Sequence, residues 1–165
     1  MLSACRSSSM EHYAGTKPKL DIKEYFNGPI KAHGIVQDWR GRVTRQFDVQ
    51  MKGTWNGDVG TLEEHFQYYD GETQKRTWHI RKTADNRYVG TASDIIGEAK
   101  GRQNGHAINW DYVMDLPVDN TTYHIRFDDW MWLMNDGVLI NRSYLKKFGF
   151  TVAELTIVMQ KQEVK

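Results

Sequence analysis

Apolar and polar residues alternate with a period of two from Ile30 almost to the C-terminus, the pattern of half-buried β-strands. Across residues 43–55, Val43, Phe47, Val49, Met51 and Trp55 fall on one face, with Thr44, Gln46, Asp48, Gln50, Lys52 and Thr54 on the other. Asn56-Gly57-Asp58 turns the chain. Leu62, Phe66 and Tyr68 then alternate, and Tyr69-Asp70-Gly71 has the form of a three-residue hairpin loop with glycine at the left-handed position. Trp78 and Ile80 mark the returning strand, and Ala84-Asp85-Asn86 leads into residues 87–92. Residues 97–103 and 106–116 flank Asn104-Gly105, the strongest short hairpin signal in the chain. Further strands are predicted over 121–134, 138–141 and 151–160, while 143–148 is open between strand and a short helical turn stopped by Gly149.

The first part of the chain lacks this period. Residues 6–20 carry serine, glycine and proline and read as a flexible tether. Asp21 followed by Glu24 resembles a helix N-cap with an acidic residue three positions on, and Asn27-Gly28-Pro29 stops the helix after one turn. The domain proper is expected over 21–162. About nine or ten short strands joined by tight turns predict an all-β fold, an antiparallel up-and-down β-barrel of lipocalin-like form with a short N-terminal helical turn. Closing the sheet also removes its exposed edges.

Turn positions predict pairing. A two-residue loop at Asn104-Gly105 sets Gln103 opposite His106, hence Gly101 opposite Ile108, Ala99 opposite Trp110 and Gly97 opposite Tyr112. Small residues then face large ones, as in the tapered interior of a small barrel. The Tyr69-Asp70-Gly71 loop sets Tyr68 opposite Glu72, Phe66 opposite Gln74, Glu64 opposite Arg76 and Leu62 opposite Trp78. Glu64 and Arg76 thus share an apolar face, where two ions are costly unless well paired. They read as a structural ion pair fixing register, or Arg76 serves as a bidentate anchor for a ligand's polar group. In the segment 123–132, Tyr123, Ile125 and Phe127 share one face, yet Trp130 and Trp132 fall on the other, which predicts a bulge or bend near Asp128-Asp129. Adjacent aspartates on a regular strand point to opposite sides, so a metal site is not expected there; holding backbone amides at a barrel rim is the other reading.

Composition narrows the function. The 165 residues include 39% hydrophobic and 26% charged, the balance of one globular domain. The net charge of +1 gives no basic excess for nucleic acid. No HExxH, GxSxG, Walker or GxGxxG pattern occurs, and the six histidines show no ligand spacing. No catalytic residue, cofactor or metal is therefore assigned. A spatial pair of carboxylates acting on a lipid stays as a third functional class. The single cysteine, Cys5, closes Leu2-Ser3-Ala4-Cys5, which resembles the lipobox of bacterial lipoproteins. That resemblance implies acylation of Cys5 and attachment to a lipid bilayer. Only four residues precede Cys5, whereas a signal has an apolar stretch of about 7–15. The reading thus implies an upstream start, and its rival is a chance match in a polar tail. With Arg6 and no aspartate after the cysteine, the expected location is the periplasmic face of the outer membrane.

Tyr25-Phe26-Asn27-Gly28-Pro29-Ile30, Gly53-Thr54-Trp55, the Tyr69–Glu72 turn with Arg76 and Trp78, and the stretch from Phe127-Asp128-Asp129-Trp130 to Asn141-Arg142 together resemble the bacterial lipoprotein family of domain of unknown function 3833. The resemblance covers about residues 21–160 and implies a Gram-negative envelope lipoprotein of no established activity, with gene neighbours that modify membrane fatty acids. The favoured expectation is a barrel that binds or presents an apolar ligand, a fatty acid or lipid, among Phe47, Trp55, Phe66, Trp78, Trp110, Tyr112 and Phe127, with Arg76 at its polar end. The alternative is a filled barrel serving as an interaction module of the envelope.

Overall fold

A computed structural model describes residues 9–163. Ten antiparallel strands close on themselves, each paired with its sequence neighbour and the last with the first. They are β1 (Gly28–Asp38), β2 (Val43–Asn56), β3 (Val59–Tyr68), β4 (Thr73–Ala84), β5 (Arg87–Thr91), β6 (Ile95–Asn104), β7 (Ala107–Val118), β8 (Thr121–Leu133), β9 (Val138–Lys147) and β10 (Phe150–Lys161). The period-two pattern thus yields the up-and-down barrel. Of residues 143–148, open in the sequence, 143–147 continue β9 as strand and Phe148 enters the turn with Gly149. The apolar face of each strand turns inward, and the polar face, such as Gln50, Lys52, Glu63 and His65, is exposed. A polar outer wall is the reverse of the apolar band of a membrane-spanning barrel.

The β3–β4 register is the expected one: Glu64 pairs with Arg76 and Leu62 with Trp78. The β6–β7 register is not. Asn104 pairs with Ala107 and Gln103 with Ile108, so the turn residues are Gly105 and His106, and Gly101 faces Trp110. Gly105 has φ +52° and stands at the first turn position, where II′ turns place glycine. A shift between Ile96 and Lys100 separates the two halves of the pairing. The small-against-large principle survives with another partner. A Cβ at Gly101 would lie 2.8 Å from the Trp110 ring.

No bend occurs at Asp128-Asp129. The β7–β8 ladder runs unbroken from Ala107↔Trp132 to Val118↔Thr121, so Trp130 and Trp132 lie with Asp128 on the outer face. They stack on each other, ring centroids 6.1 Å apart and planes at 11°. The reason for an apolar outer patch is the N-terminal segment. A 3-10 turn at Met10–Tyr13 sets Tyr13 over Trp130, 5.8 Å between centroids, and the Trp132 indole N–H donates to the Tyr13 hydroxyl at 3.2 Å. The Asn104 amide donates to Met10 O at 3.0 Å, and His106 N–H donates to Thr16 Oγ1 at 3.1 Å. Residues 9–20, expected to be tether, are therefore held along the wall.

This segment leads into a plug. Leu20 and Ile22 are fully buried, worth about 1.5–3 kcal/mol each for side chains of that size. Helix α1 (Ile22–Tyr25) is capped as expected, with Glu24 N–H donating to the Asp21 carboxylate at 3.0 Å. At its other end, the Lys161 ammonium donates to Glu24 O and Tyr25 O, both at 2.7 Å, and to Asn27 O, a cation on terminal carbonyls. The Trp55 indole donates to Phe26 O at 3.1 Å. Gly53 leaves the space for that carbonyl: a Cβ there would stand 1.6 Å from it. Gly53→Ala is expected to push the plug off its seat and cost about 1–3 kcal/mol, read as a lower urea midpoint; an unchanged midpoint would contradict this packing.

Candidate functional site

The interior of the barrel holds a small cavity of about 100 Å³ beneath α1. Four of the expected ligand residues line it, namely Phe66, Trp78, Trp110 and Tyr112, as does Arg76. The other three are packed elsewhere. Phe47 lies against Phe66 and Tyr68, Trp55 covers Gly60, and Phe127 stacks on Tyr112 at 5.0 Å and 11°. Cys5 and the rest of the Leu2–Cys5 lipobox lie outside the described residues.

Two polar clusters enter the cavity. The first is built on a gap in the wall. Strand β5 pairs with β4 only between His79↔Thr91 and Ala84↔Arg87, so Thr73–Trp78 have no ladder partner on that side. Strand β6 pairs with β5 only up to Ala99, which leaves residues 95–98 in the same position. The connection Ala92-Ser93-Asp94 crosses this slit. There Arg76 forms a two-pronged ion pair with Asp94: Nη2 to Oδ2 is 2.8 Å and Nε to the two oxygens 3.0 and 3.2 Å. Glu64 lies farther, 3.5 Å from Nη1. Arg76 thus has Asp94 as its main partner, which the strand pattern did not reveal because a loop supplies it. The fork that suits a ligand's carboxylate is occupied by the protein's own carboxylates. Burial pushes the Glu64 carboxyl up to about 7, outweighing the attraction of Arg76. Burial also opposes the charge on Arg76, but Glu64 and Asp94 hold it protonated.

The second cluster surrounds Asp129, on the inner face of β8. Ser143 Oγ donates to it at 2.6 Å and the Tyr112 hydroxyl at 3.3 Å, and the Asn141 amide donates to it as well. Burial nonetheless pushes Asp129 up to about 6, with the three donors opposing it. Its neighbour Asp128 faces outward, where partial burial is outweighed by Lys146, Asn109 and the Trp130 indole, and its pKa is lowered. The two aspartates bind side chains, not the backbone amides of a rim. Among the described residues no group of three or more metal-ligating side chains gathers. Asn141 and Ser143 escaped the sequence reading because they are short polar residues on an otherwise apolar face. Their alternation with Leu139 and Leu145 was the available signal.

Both clusters and the barrel around them fall within the part of the chain that matches a family model, described as Protein of unknown function (DUF3833), over residues 1–161. The chain belongs to this family. Its description names no chemistry, so membership assigns no ligand. A comparison with curated proteins returns no significant match.

The buried carboxyls make stability depend on pH. Unfolded Asp and Glu ionise near 3.9 and 4.3, below the folded values of about 6 for Asp129 and about 7 for Glu64. Between roughly pH 4 and 7 the folded protein holds more protons, so stability from these groups is present at the acid side and falls as pH rises. Glu64→Gln, which leaves Asp94 on Arg76, is expected to flatten that slope and to raise the melting temperature by a few degrees at about pH 8. Thermal unfolding at a series of pH values checks this, and a variant with the wild-type slope would contradict it.

Proposed function

We propose that this protein is an envelope lipoprotein, attached to the bilayer through acylated Cys5, whose barrel binds a compact, largely apolar ligand that donates hydrogen bonds. The observation that carries the reading is the cavity itself, apolar in most of its lining yet entered by Glu64, Asp129, Arg76, Asn141 and Ser143. Its donors are committed: Arg76 is engaged twice over, and Ser143, Asn141 and Tyr112 donate to Asp129, whose oxygens are thereby taken. Glu64, 3.5 Å from Arg76, is the carboxyl with most left to offer a ligand. That balance favours a neutral or cationic polar group over a fatty-acid carboxylate. The volume of about 100 Å³ is below the roughly 150 Å³ of an engineered cavity that holds benzene. A ring or the end of a chain suits it better than a whole acyl chain.

The same volume favours a second reading, a filled barrel acting as an interaction module, since ligand pockets usually span about 300–1,000 Å³. Native mass spectrometry separates the two. The protein is purified from membranes of a bacterium that expresses it behind a lipoprotein signal peptide. The expected result is a diacylglyceryl mass on the N-terminal peptide and a small non-covalent adduct on the folded chain. Leu155→Phe, which fills the cavity, is expected to lose the adduct and stay folded. A peptide without lipid mass would overturn the anchor, and an adduct retained in full by Leu155→Phe would overturn the interior site.

A further inference from the structure

The end of the barrel opposite α1 is made of the β1–β2, β3–β4, β5–β6, β7–β8 and β9–β10 connections. Among the described residues, the four large apolar side chains more than 60% exposed all stand there: Phe148 at 87%, Phe150 at 75%, Trp39 at 71% and Tyr69 at 62%. They belong to the β9–β10, β1–β2 and β3–β4 hairpins, which are neighbours around the closed sheet. Side chains so exposed protrude from the turns and do not pack into a patch of their own.

One of them is held at a backbone cost. Phe148 has φ +50° and Gly149 φ +78°, the conformation of a I′ turn, which ordinarily takes Asn-Gly. The other non-glycine residues at positive φ among the described residues are Asn86, Asp119 and Asp136, types that tolerate it. A phenylalanine in that position, with almost no neighbours, gains nothing for the fold.

The rings carry cations. The Arg40 guanidinium lies 4.6 Å over the Trp39 ring, and the Lys147 ammonium lies 4.8 Å from the Phe148 ring and 5.2 Å from that of Tyr123. Neither forms a salt bridge among the described residues. The acidic groups beside them are engaged: Asp38 by Arg42 at 2.7 Å, Asp70 and Glu72 by Arg45 at 3.0 and 2.7 Å. Asp119, on the next hairpin, has no such partner. The two central tips thus bear Arg40, Arg42 and Lys147 against Asp38 alone. Protruding aromatic residues with free cations at their base match the chemistry of a membrane interface, where rings enter the headgroup region and amphipathic cations reach the phosphates.

We propose that this rim docks on a bilayer surface carrying anionic lipids, with Phe148, Phe150 and Trp39 at the acyl boundary and Arg40 and Lys147 on the headgroups. Met10–Tyr13, the described turn closest in sequence to Cys5, lies at the opposite end beside the β6–β7 turn. The contact is therefore separate from acylation, and its test removes acylation. Full-length protein with Cys5→Ser is sedimented with vesicles of phosphatidylglycerol and phosphatidylethanolamine, or of phosphatidylcholine alone. Binding is expected to the anionic vesicles and to be much weaker to the neutral ones. Arg40→Gln with Lys147→Gln is expected to weaken anionic binding about 30-fold, from about five-fold per cation near a charged surface. Phe148→Asn with Phe150→Ser is expected to reduce binding about tenfold or more while the melting temperature holds or rises, because asparagine suits the I′ position. Absence of binding to anionic vesicles would overturn the proposal, as would wild-type binding by the Phe148→Asn/Phe150→Ser variant. Docking of a protein on this rim without any vesicle binding would overturn it equally.

Discussion

The barrel stays closed where its backbone ladder lapses because Arg76 reaches across to Asp94. Strand β5 has only five residues, too few to cover the length of β4. Residues 73–78 and 95–98 therefore lack partners across the gap. Removing backbone hydrogen bonds from part of a wall is expensive unless other groups take over. The two-pronged contact ties the two sides together through side chains, and the loop that carries Asp94 is held from below by the Asp115 N–H donating to Asp94 O at 2.9 Å. A surface cavity lined by Lys75, Arg76, Thr77 and Ser93 marks the outer mouth of the slit. The position of this pair also explains why Glu64 is the weaker partner. It is the cross-strand neighbour by register, yet the guanidinium turns toward the loop that needs it.

The rest of the interior follows from having ions inside a small barrel. A guanidinium facing the core requires carboxylates, and those carboxylates lose hydration. Glu64 consequently ionises less readily; Asp129, buried in the same interior on donors of its own, does too, while Asp128, one residue along the strand, is held charged by Lys146 on the outer face. The alternation of a β-strand thus gives two adjacent aspartates opposite chemistry. Closure of the α1 end is chiefly apolar, with the Lys161 ammonium on the carbonyls at the end of α1. Leu20, Ile22 and Phe26 fill the mouth, and the segment before them screens Trp130 and Trp132. The two ends differ accordingly: one is sealed by apolar burial, and the other exposes its rings.

Much of this was legible in the sequence. Tyr69-Asp70-Gly71 fixed the β3–β4 register because its glycine position admits one loop geometry, and Asp21 with Glu24 located the single helical turn. Asn104-Gly105 misled by one residue at the turn, which shifts the pairing by two, since Gly105 takes the first turn position and not the second. The tryptophans at 130 and 132 suggested a bend because a strand's outer face is normally polar. Their cover comes from residues 9–20, which have no periodicity to advertise docking. Asp94 was missed for a related reason, as the contact depends on how short β5 is, a property of the closed sheet and not of local pattern. Among the aromatic residues, alternation alone identified which point inward, but not which border empty space.

Hydrogen exchange read by mass spectrometry, comparing wild type with Arg76→Met, tests the central claim most directly. If the ion pair closes the wall, amides in 73–78 and 91–98 lose protection by an order of magnitude or more, while those of β7 and β8 remain as slow as in the wild type. Equal protection of the slit in both proteins would contradict the account, as would uniform loss over the whole barrel.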